Sequence, residues 1–395
     1  MSIASLLRSK RALACLLSLL LSTVGNSAAG AQVSKPKPLW QVDLKQYGAH
    51  GPRLGFINDP GSNVVIACTK QVVAIAFLSE IKDRKDSSTG KPGSPYKLIG
   101  LFFDASTGKL LAQQAWNVIQ FLDYNIFATQ GGNFLLFLKP LSFSGDSTSN
   151  ALASLSPKGQ LLKRVDLPIS VEPTHPTPDW WDVQVAPIGD TVLLTHEKDD
   201  LRQYQILDPD TLESRMAWHE NASSRMWIFS ISSHSVLRQN ENTKEVYFGH
   251  GENIGQGPLR LPKSTRMAIL NDQQIVTFDQ EPKRVMVMNA TGEIALDYGL
   301  KIGDTGDVYA PIVSADGLHF AGTIDVGPRS IFSPSRSYVF VGEVQVHDPV
   351  LAFEVPWPAP WGNSVFLSPD GDRLGVVSGA RVSVFSIPRE TTRSN

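Results

Sequence analysis

Three segments of this 395-residue chain bring together residue types capable of chemistry. The densest is 172–182, Glu-Pro-Thr-His-Pro-Thr-Pro-Asp-Trp-Trp-Asp, which sets Glu172, Asp179 and Asp182 beside the adjacent Trp180 and Trp181. Rigid indole faces can stack on a sugar ring or a peptide, and neighbouring carboxylates can orient polar groups. The competing structural reading has Trp180 or Trp181 wedged in a core while the prolines stiffen a connection. The second segment, 248–253, reads Phe-Gly-His-Gly-Glu-Asn. His250, Glu252 and Asn253 could ligate a metal or move protons, although its glycines suit an ordinary connecting loop equally well. The third, 304–309, places Asp304 and Asp307 around Gly306. Oxygen ligands of this kind suit calcium, so Glu172, Asn253 and Asp304 form the candidate metal set of an alternative reading. Single turns of this composition are otherwise capping residues.

The chain shows no Gly-x-Ser-x-Gly elbow, no Cys-x-x-Cys or His-Glu-x-x-His pattern and no phosphate-binding glycine loop. No residue is therefore assigned a catalytic role, and no cofactor is expected outside the calcium alternative.

The elements that must position these segments repeat. An apolar strand, a short polar turn and a second apolar strand recur about every 50 residues, a period that fits β-propeller blades. Residues 366–377, Phe-Leu-Ser-Pro-Asp-Gly-Asp-Arg-Leu-Gly-Val-Val, show it most clearly. Looser copies lie at 312–321, 185–194, 127–136 and 56–66. A second repeated turn, as in Asp104-Ala105-Ser106-Thr107-Gly108-Lys109 and Asp208-Pro209-Asp210-Thr211-Leu212, suits the link between a third and an outer strand. Period 2 dominates, as in 381–387, and no amphipathic helix is expected.

The pattern predicts an all-β chain: one propeller over 39–390 with about seven four-stranded blades. They fall near 39–116, 117–169, 170–221, 222–263, 264–303, 304–362 and 363–390. Residues 222–263 carry the weakest pattern, so that six or eight blades remain alternatives. The strand at 40–44 is expected to pair with the short last segment and close the ring, removing free edges. Residues 80–96 and 141–150 read as polar hairpin tips.

At the N-terminus, Arg8, Lys10 and Arg11 precede the apolar run 12–21 and the small residues 29–31. This has the form of a secretory signal cleaved before Gln32; the run is too short to span a bilayer. Residues 32–38 then form a polar leader and 391–395 a tail. Three of the 36 basic residues lie in the signal, leaving 33 against 38 acidic. That balance gives no footprint for nucleic acid. Cys68 is the one remaining cysteine, placed in an apolar strand, and reads as a core residue. His234 and His319 fall in strand patterns and read as hydrogen-bonded structural residues.

The repeats resemble the bacterial exported WD40-like and YVTN-like propellers over nearly all of 39–390. The chain has one Gly-His (249–250) and one Trp-Asp (181–182), out of register, so the WD40 hydrogen-bond network is not carried over. Asp104–Lys109 is similar to the docking motif of quinoprotein dehydrogenases, but Ala112 stands where that motif has Trp, and no quinone follows from it. The resemblance implies an exported, monomeric, non-catalytic binding or scaffold module in the periplasm or outside the cell. Its partner would be a protein, peptide or carbohydrate held near Asp179, Trp180, Trp181, Asp182 and His250. The alternative is a calcium-dependent hydrolase or lyase acting on a lactone, sugar or related small molecule.

Overall fold

Why the middle strands are apolar on both faces while the outer ones are polar follows from where each lies in the ring. The computed structural model describes residues 36–49, 64–80, 96–118, 122–140, 150–167, 180–198, 201–221, 226–249, 257–259, 261, 265–302, 306–326, 336–356 and 365–388. After β1 (Trp40–Asp43) and a 3-10 turn at Leu44–Tyr47, the strands group into seven antiparallel sheets. Blade 1 is β2 (Val64–Cys68), β3 (Val72–Glu80), β4 (Tyr96–Asp104) and β5 (Leu110–Val118). Blade 2 is β6 (Leu122–Ala128), β7 (Phe134–Pro140), β8 (Asn150–Leu155) and β9 (Leu161–Leu167). Blade 3 is β10 (Trp180–Val185), β11 (Val192–Lys198), β12 (Leu201–Leu207) and β13 (Ser214–Asn221).

Among the described residues blade 4 has three strands, β14 (Met226–Ile231), β15 (Val236–Asn240) and β16 (Val246–Gly249). Leu259 bridges to Val246 where the other blades have a fourth strand. Blade 5 is β17 (Arg266–Asn271), β18 (Gln274–Asp279), β19 (Arg284–Asn289) and β20 (Ile294–Gly299). Blade 6 is β21 (Ile312–Val313), β22 (His319–Val326), β23 (Arg336–Glu343) and β24 (Leu351–Pro356). Blade 7 is β25 (Val365–Leu367), β26 (Arg373–Ser378) and β27 (Arg381–Ser386), completed by β1 in the order β1-β27-β26-β25. The fold is thus a seven-bladed propeller, closed by pairing its first strand with its last, Trp40 opposite Val384. Among the described residues no helix is long and apolar enough to cross a membrane.

The core is divided into seven buried clusters, each shared by two successive blades. One joins Trp40, Val382 and Val384 of blade 7 to Val73, Ile75 and Phe103 of blade 1. Another joins Val276 and Phe278 of blade 5 to Phe320 and Phe340 of blade 6. Strands flanked by a blade on each side are apolar throughout, as in Val285–Met288 of β19. Outer strands such as β9 and β13 are mostly exposed and alternate little.

Some of these sheets pack an aromatic ring directly over a glycine on the next strand. Gly375 lies opposite Phe366, and a Cβ there would stand 1.7 Å from the ring. Gly342 beneath Phe320 repeats the arrangement in blade 6, with the ring at 2.3 Å.

The clearest sequence repeat, 366–377, forms the β25–β26 hairpin, and 127–136, 185–194 and 312–321 form the equivalent hairpins of blades 2, 3 and 6. Of the copy at 56–66, residues 56–63 lie outside the described residues and 64–66 open β2; the inner hairpin of blade 1 turns at Thr69–Gln71, which contain neither Gly nor Asp. Of the two expected hairpin tips, 81–95 and 141–149 lie outside the described residues.

Candidate functional site

In blades 1, 2, 4, 6 and 7 the turn that follows the inner strand is built on a hydroxyl. Thr69 Oγ1 accepts the Val72 N–H at 3.0 Å, Thr129 Oγ1 that of Asn133 at 3.2 Å, and Ser232 Oγ that of Ser235 at 2.9 Å. Ser314 Oγ accepts from Asp316 at 3.5 Å and Ser368 Oγ from Arg373 at 2.9 Å. All five side chains are buried. A side-chain oxygen that takes a backbone donor two to five residues on fixes the turn; in blades 2, 6 and 7 it acts together with a glycine of positive φ, Gly132, Gly317 and Gly371, and in blades 1 and 4 the turn has no glycine. The sequence signal is Thr or Ser directly after an apolar strand.

These turns are latched across blade boundaries. Asp210, in the β12–β13 turn, accepts Thr129 Oγ1 and Asn133 Nδ2, both at 3.0 Å. The Gln130 N–H donates to the Gly189 carbonyl at 2.8 Å. Asp272 takes the Ser232 hydroxyl and His234 Nδ1. Asn271 Nδ2 donates to Gly317 O at 3.2 Å, and Ser314 Oγ to Ser368 O at 2.8 Å. His234 lies in the exposed β14–β15 turn and not in a strand; its bond to Asp272 favours its charged form and raises its pKa.

The latched turns frame an open cavity of about 1350 Å³ at the mouth of the central channel. Each blade contributes an apolar wall residue: Ile66, Phe127, Val185, Phe229, Met267, Ile312 and Leu367. The ionisable side chains at this mouth are Lys70, Asp316, His319, Glu343 and Asp370, with the Cys68 thiol below them. Burial pushes the Cys68 thiol far up, and it donates to the Thr69 carbonyl at 3.0 Å, so it is no nucleophile. Asp316 lies 2.6 Å from His319 Nδ1. Burial opposes ionisation of Asp316, but hydrogen bonds from His319 and from the Leu318 and His319 N–H groups outweigh it and hold the carboxyl below its usual range.

Of the residues singled out in the sequence, Glu172, Asp179, His250, Asn253 and Asp304 lie outside the described residues. Trp180 opens β10, paired in register with Glu197. Trp181 is buried at 5 % exposure in the cluster shared by blades 2 and 3, stacked on His196 at 3.9 Å. Asp182 is half-buried and accepts from Gln184 Nε2 at 3.5 Å. The structure does not draw Trp181 and Asp182 to the cavity mouth, which takes its β10 lining from Val183 onward. Among the described residues no group of three His, Cys, Asp or Glu side chains is placed to hold a metal.

The second repeated turn is an Asx turn. Asp104 Oδ1 accepts the Ser106 and Thr107 N–H groups at 3.1 and 2.8 Å together with both hydroxyls, which lowers its carboxyl to about 2. Asp208 and Asn289 repeat it before β13 and β20. These are structural groups, and nothing about them calls for a quinone.

No protein-family model matches the chain, and no curated protein matches it. Among solved structures it is similar to a chain in a structure titled "Crystal Structure of Mitotic Checkpoint Complex", with TM-score 0.50 and 12 % identity over 92 % of this chain and 99 % of that one. It is also similar to KlHsv2 with loop 6CD replaced by a Gly-Ser linker, with TM-score 0.43 and 12 % identity over 80 % of this chain and 89 % of that one. Hsv2 of Kluyvelomyces marxianus aligns with TM-score 0.42 and 11 % identity over 83 % and 98 %. At these identities the likeness concerns the fold alone.

Proposed function

We propose that this protein is an exported, non-catalytic binding module that seats a polypeptide segment in the mouth of its channel. The observation that carries the reading is the cavity itself, walled by one apolar side chain from every blade and framed by turns that hydrogen-bond across blade boundaries. A preformed concave apolar site loses little conformational freedom on binding. The hydroxyls at the mouth accept backbone donors in their own turns, and the thiol is held protonated. Both are engaged in the hydrogen bonds that hold the turns, which favours a preformed binding surface over turnover.

The test is a peptide array probed with purified protein, followed by anisotropy titration of the peptides retained. Phe229→Glu places a charge on the apolar wall and is expected to weaken binding at least about tenfold, while the melting temperature stays near that of the parent. Equal binding by the variant would remove the mouth as the site. Export rests on the arrangement of residues 8–31. Intact mass of the protein recovered from its native host is expected to begin at Gln32, and a chain retaining Met1–Ala31 would overturn the export reading.

A further inference from the structure

We propose that the segment bound in the mouth is anchored by a basic side chain, lysine or arginine, seated against the blade 6–blade 7 flank where Asp316, Glu343 and Asp370 meet the cavity. This rests on the reading of the mouth as a polypeptide-binding site and adds its chemistry.

The charge around the mouth is not evenly spread. Among the described residues, blades 2 to 5 line it without an ionisable side chain, blade 1 adds the exposed Lys70, and the three lining carboxylates come from blades 6 and 7. A ligand with an apolar body and one cationic head matches that division. A neutral ligand brings no cation to Glu343 and Asp370, and an acidic one meets them as like charge.

The local groups offset only part of this acidity. His319 stands between two carboxylates, with Nδ1 2.6 Å from Asp316 and Nε2 3.9 Å from Glu343. Arg373 lies 3.6 Å from Asp372. Among the described residues neither Glu343 nor Asp370 has an ion pair with lysine or arginine, and Asp370 Oδ1 is buried and accepts no hydrogen bond. Asp370 and Asp372 also contend with each other. Burial and the neighbouring Asp370 raise the Asp372 carboxyl, while hydrogen bonds from Asp372 and Ser368 outweigh burial to lower Asp370. A carboxylate at a cavity edge with no lysine or arginine paired to it is favoured in its charged form by an arriving cation.

The flank is also preorganised. Ser314 Oγ reaches the Ser368 and Pro369 carbonyls at 2.8 and 3.1 Å, tying the blade 6 turn to the blade 7 turn. Gly371, at φ +67°, lies so close over the pair below it that a Cβ would stand 2.2 Å from His319 Nδ1 and 2.4 Å from Asp316 Oδ2. Carboxylates held in place before the ligand arrives interact with a cation more strongly than mobile ones do.

The experiment titrates the mature protein with labelled, end-blocked pentapeptides Leu-Phe-X-Phe-Leu, where X is Arg, Gln or Glu, and with blocked arginine amide alone. The Arg peptide is expected to bind about tenfold or more tighter than the Gln peptide, with the preference shrinking as salt rises. Asp370→Asn and Glu343→Gln are each expected to cut that preference to about threefold or less without weakening the Gln peptide. Phe229→Glu should weaken all three peptides, and melting curves confirm that each variant is folded. Equal binding of the Arg and Gln peptides, or a preference unmoved by both carboxylate variants, overturns the basic anchor and leaves the binding site standing. Arginine amide binding as tightly as the peptide overturns the polypeptide as ligand. If no peptide binds by about 1 mM, the mouth is not a peptide site and both readings fall.

Discussion

Trp40→Ala is expected to destabilise the protein by about 3–5 kcal/mol, the range for truncating a buried aromatic side chain. Trp40 is 8 % exposed and holds two seams together. Its backbone pairs with Val384, so the first strand of the ring completes the last blade. Its indole crosses to blade 1, where Nε1 donates to the Ala105 carbonyl at 3.0 Å and the ring lies 5.9 Å from that of Phe103. It also covers Gly108, where a Cβ would come within 2.7 Å of the indole. Removing the indole therefore empties a cavity and leaves the Ala105 carbonyl without its donor. Urea unfolding followed by far-UV circular dichroism reads the effect, with Leu39→Ala, at an exposed neighbouring site, as the control. A loss below about 1 kcal/mol for Trp40→Ala would mean that the ring is not fastened there.

A second large loss is expected from Glu220→Ala, again about 3–5 kcal/mol, because the change takes a carboxylate away from a buried charge. The seam between blades 3 and 4 differs from the others. Its apolar cluster is small, formed around Leu193, Tyr204, Ile228 and Val236, and two arginines are buried beside it. Arg238, 2 % exposed, donates to Glu220 Oε1 at 2.7 Å. Arg202, 4 % exposed, is bonded to Glu197 at 2.7 Å and to the Met226 carbonyl, and lies 4.6 Å over the Trp227 ring. With Glu220 gone, the Arg238 guanidinium keeps its desolvation cost and loses this carboxylate. The comparison is Glu354→Ala, which breaks an exposed pair with Arg336 at 3.1 Å and should cost no more than about 1 kcal/mol. The double change Arg238→Met with Glu220→Leu is expected to recover most of the loss, since apolar replacement of a buried pair is commonly neutral or better. Failure of the double variant to recover stability, with Glu220→Ala costing under 1 kcal/mol, would show the seam to be held by its apolar residues alone.

The same seam explains why 222–263 was the hardest stretch to read. Among the described residues blade 4 has three strands, its inner turn is Ser232–Ser235 without glycine, and its outer position is reduced to the bridge between Leu259 and Val246. A turn stabilised by a serine hydroxyl and an aspartate from the next blade carries no local composition cue, because half of its support, Asp272, lies 40 residues away. Blade 1 has a turn equally without a composition cue: its inner turn is made by Thr69 with Lys70 and Gln71, while the more conspicuous Asp-Pro-Gly at 59–61 lies outside the described residues.

Local information determined the architecture. Strand periodicity, Asx turns and a repeat near 50 residues are written in stretches of five to twelve residues, and they were enough for an all-β ring of about seven blades closed by its first strand, with six or eight left open at 222–263; the structure has seven. The placement of Trp181 and the composition of the channel mouth were decided by tertiary structure. Period 2 tells which residues share a face of a strand, but not whether that face meets a neighbouring blade, as Trp181 does against His196, or the open channel. Asp316, Glu343 and Asp370 sit on different turns and strands and line one cavity only because blades 6 and 7 pack side by side. Their convergence depends on the angle between sheets, and no spacing along the chain encodes it.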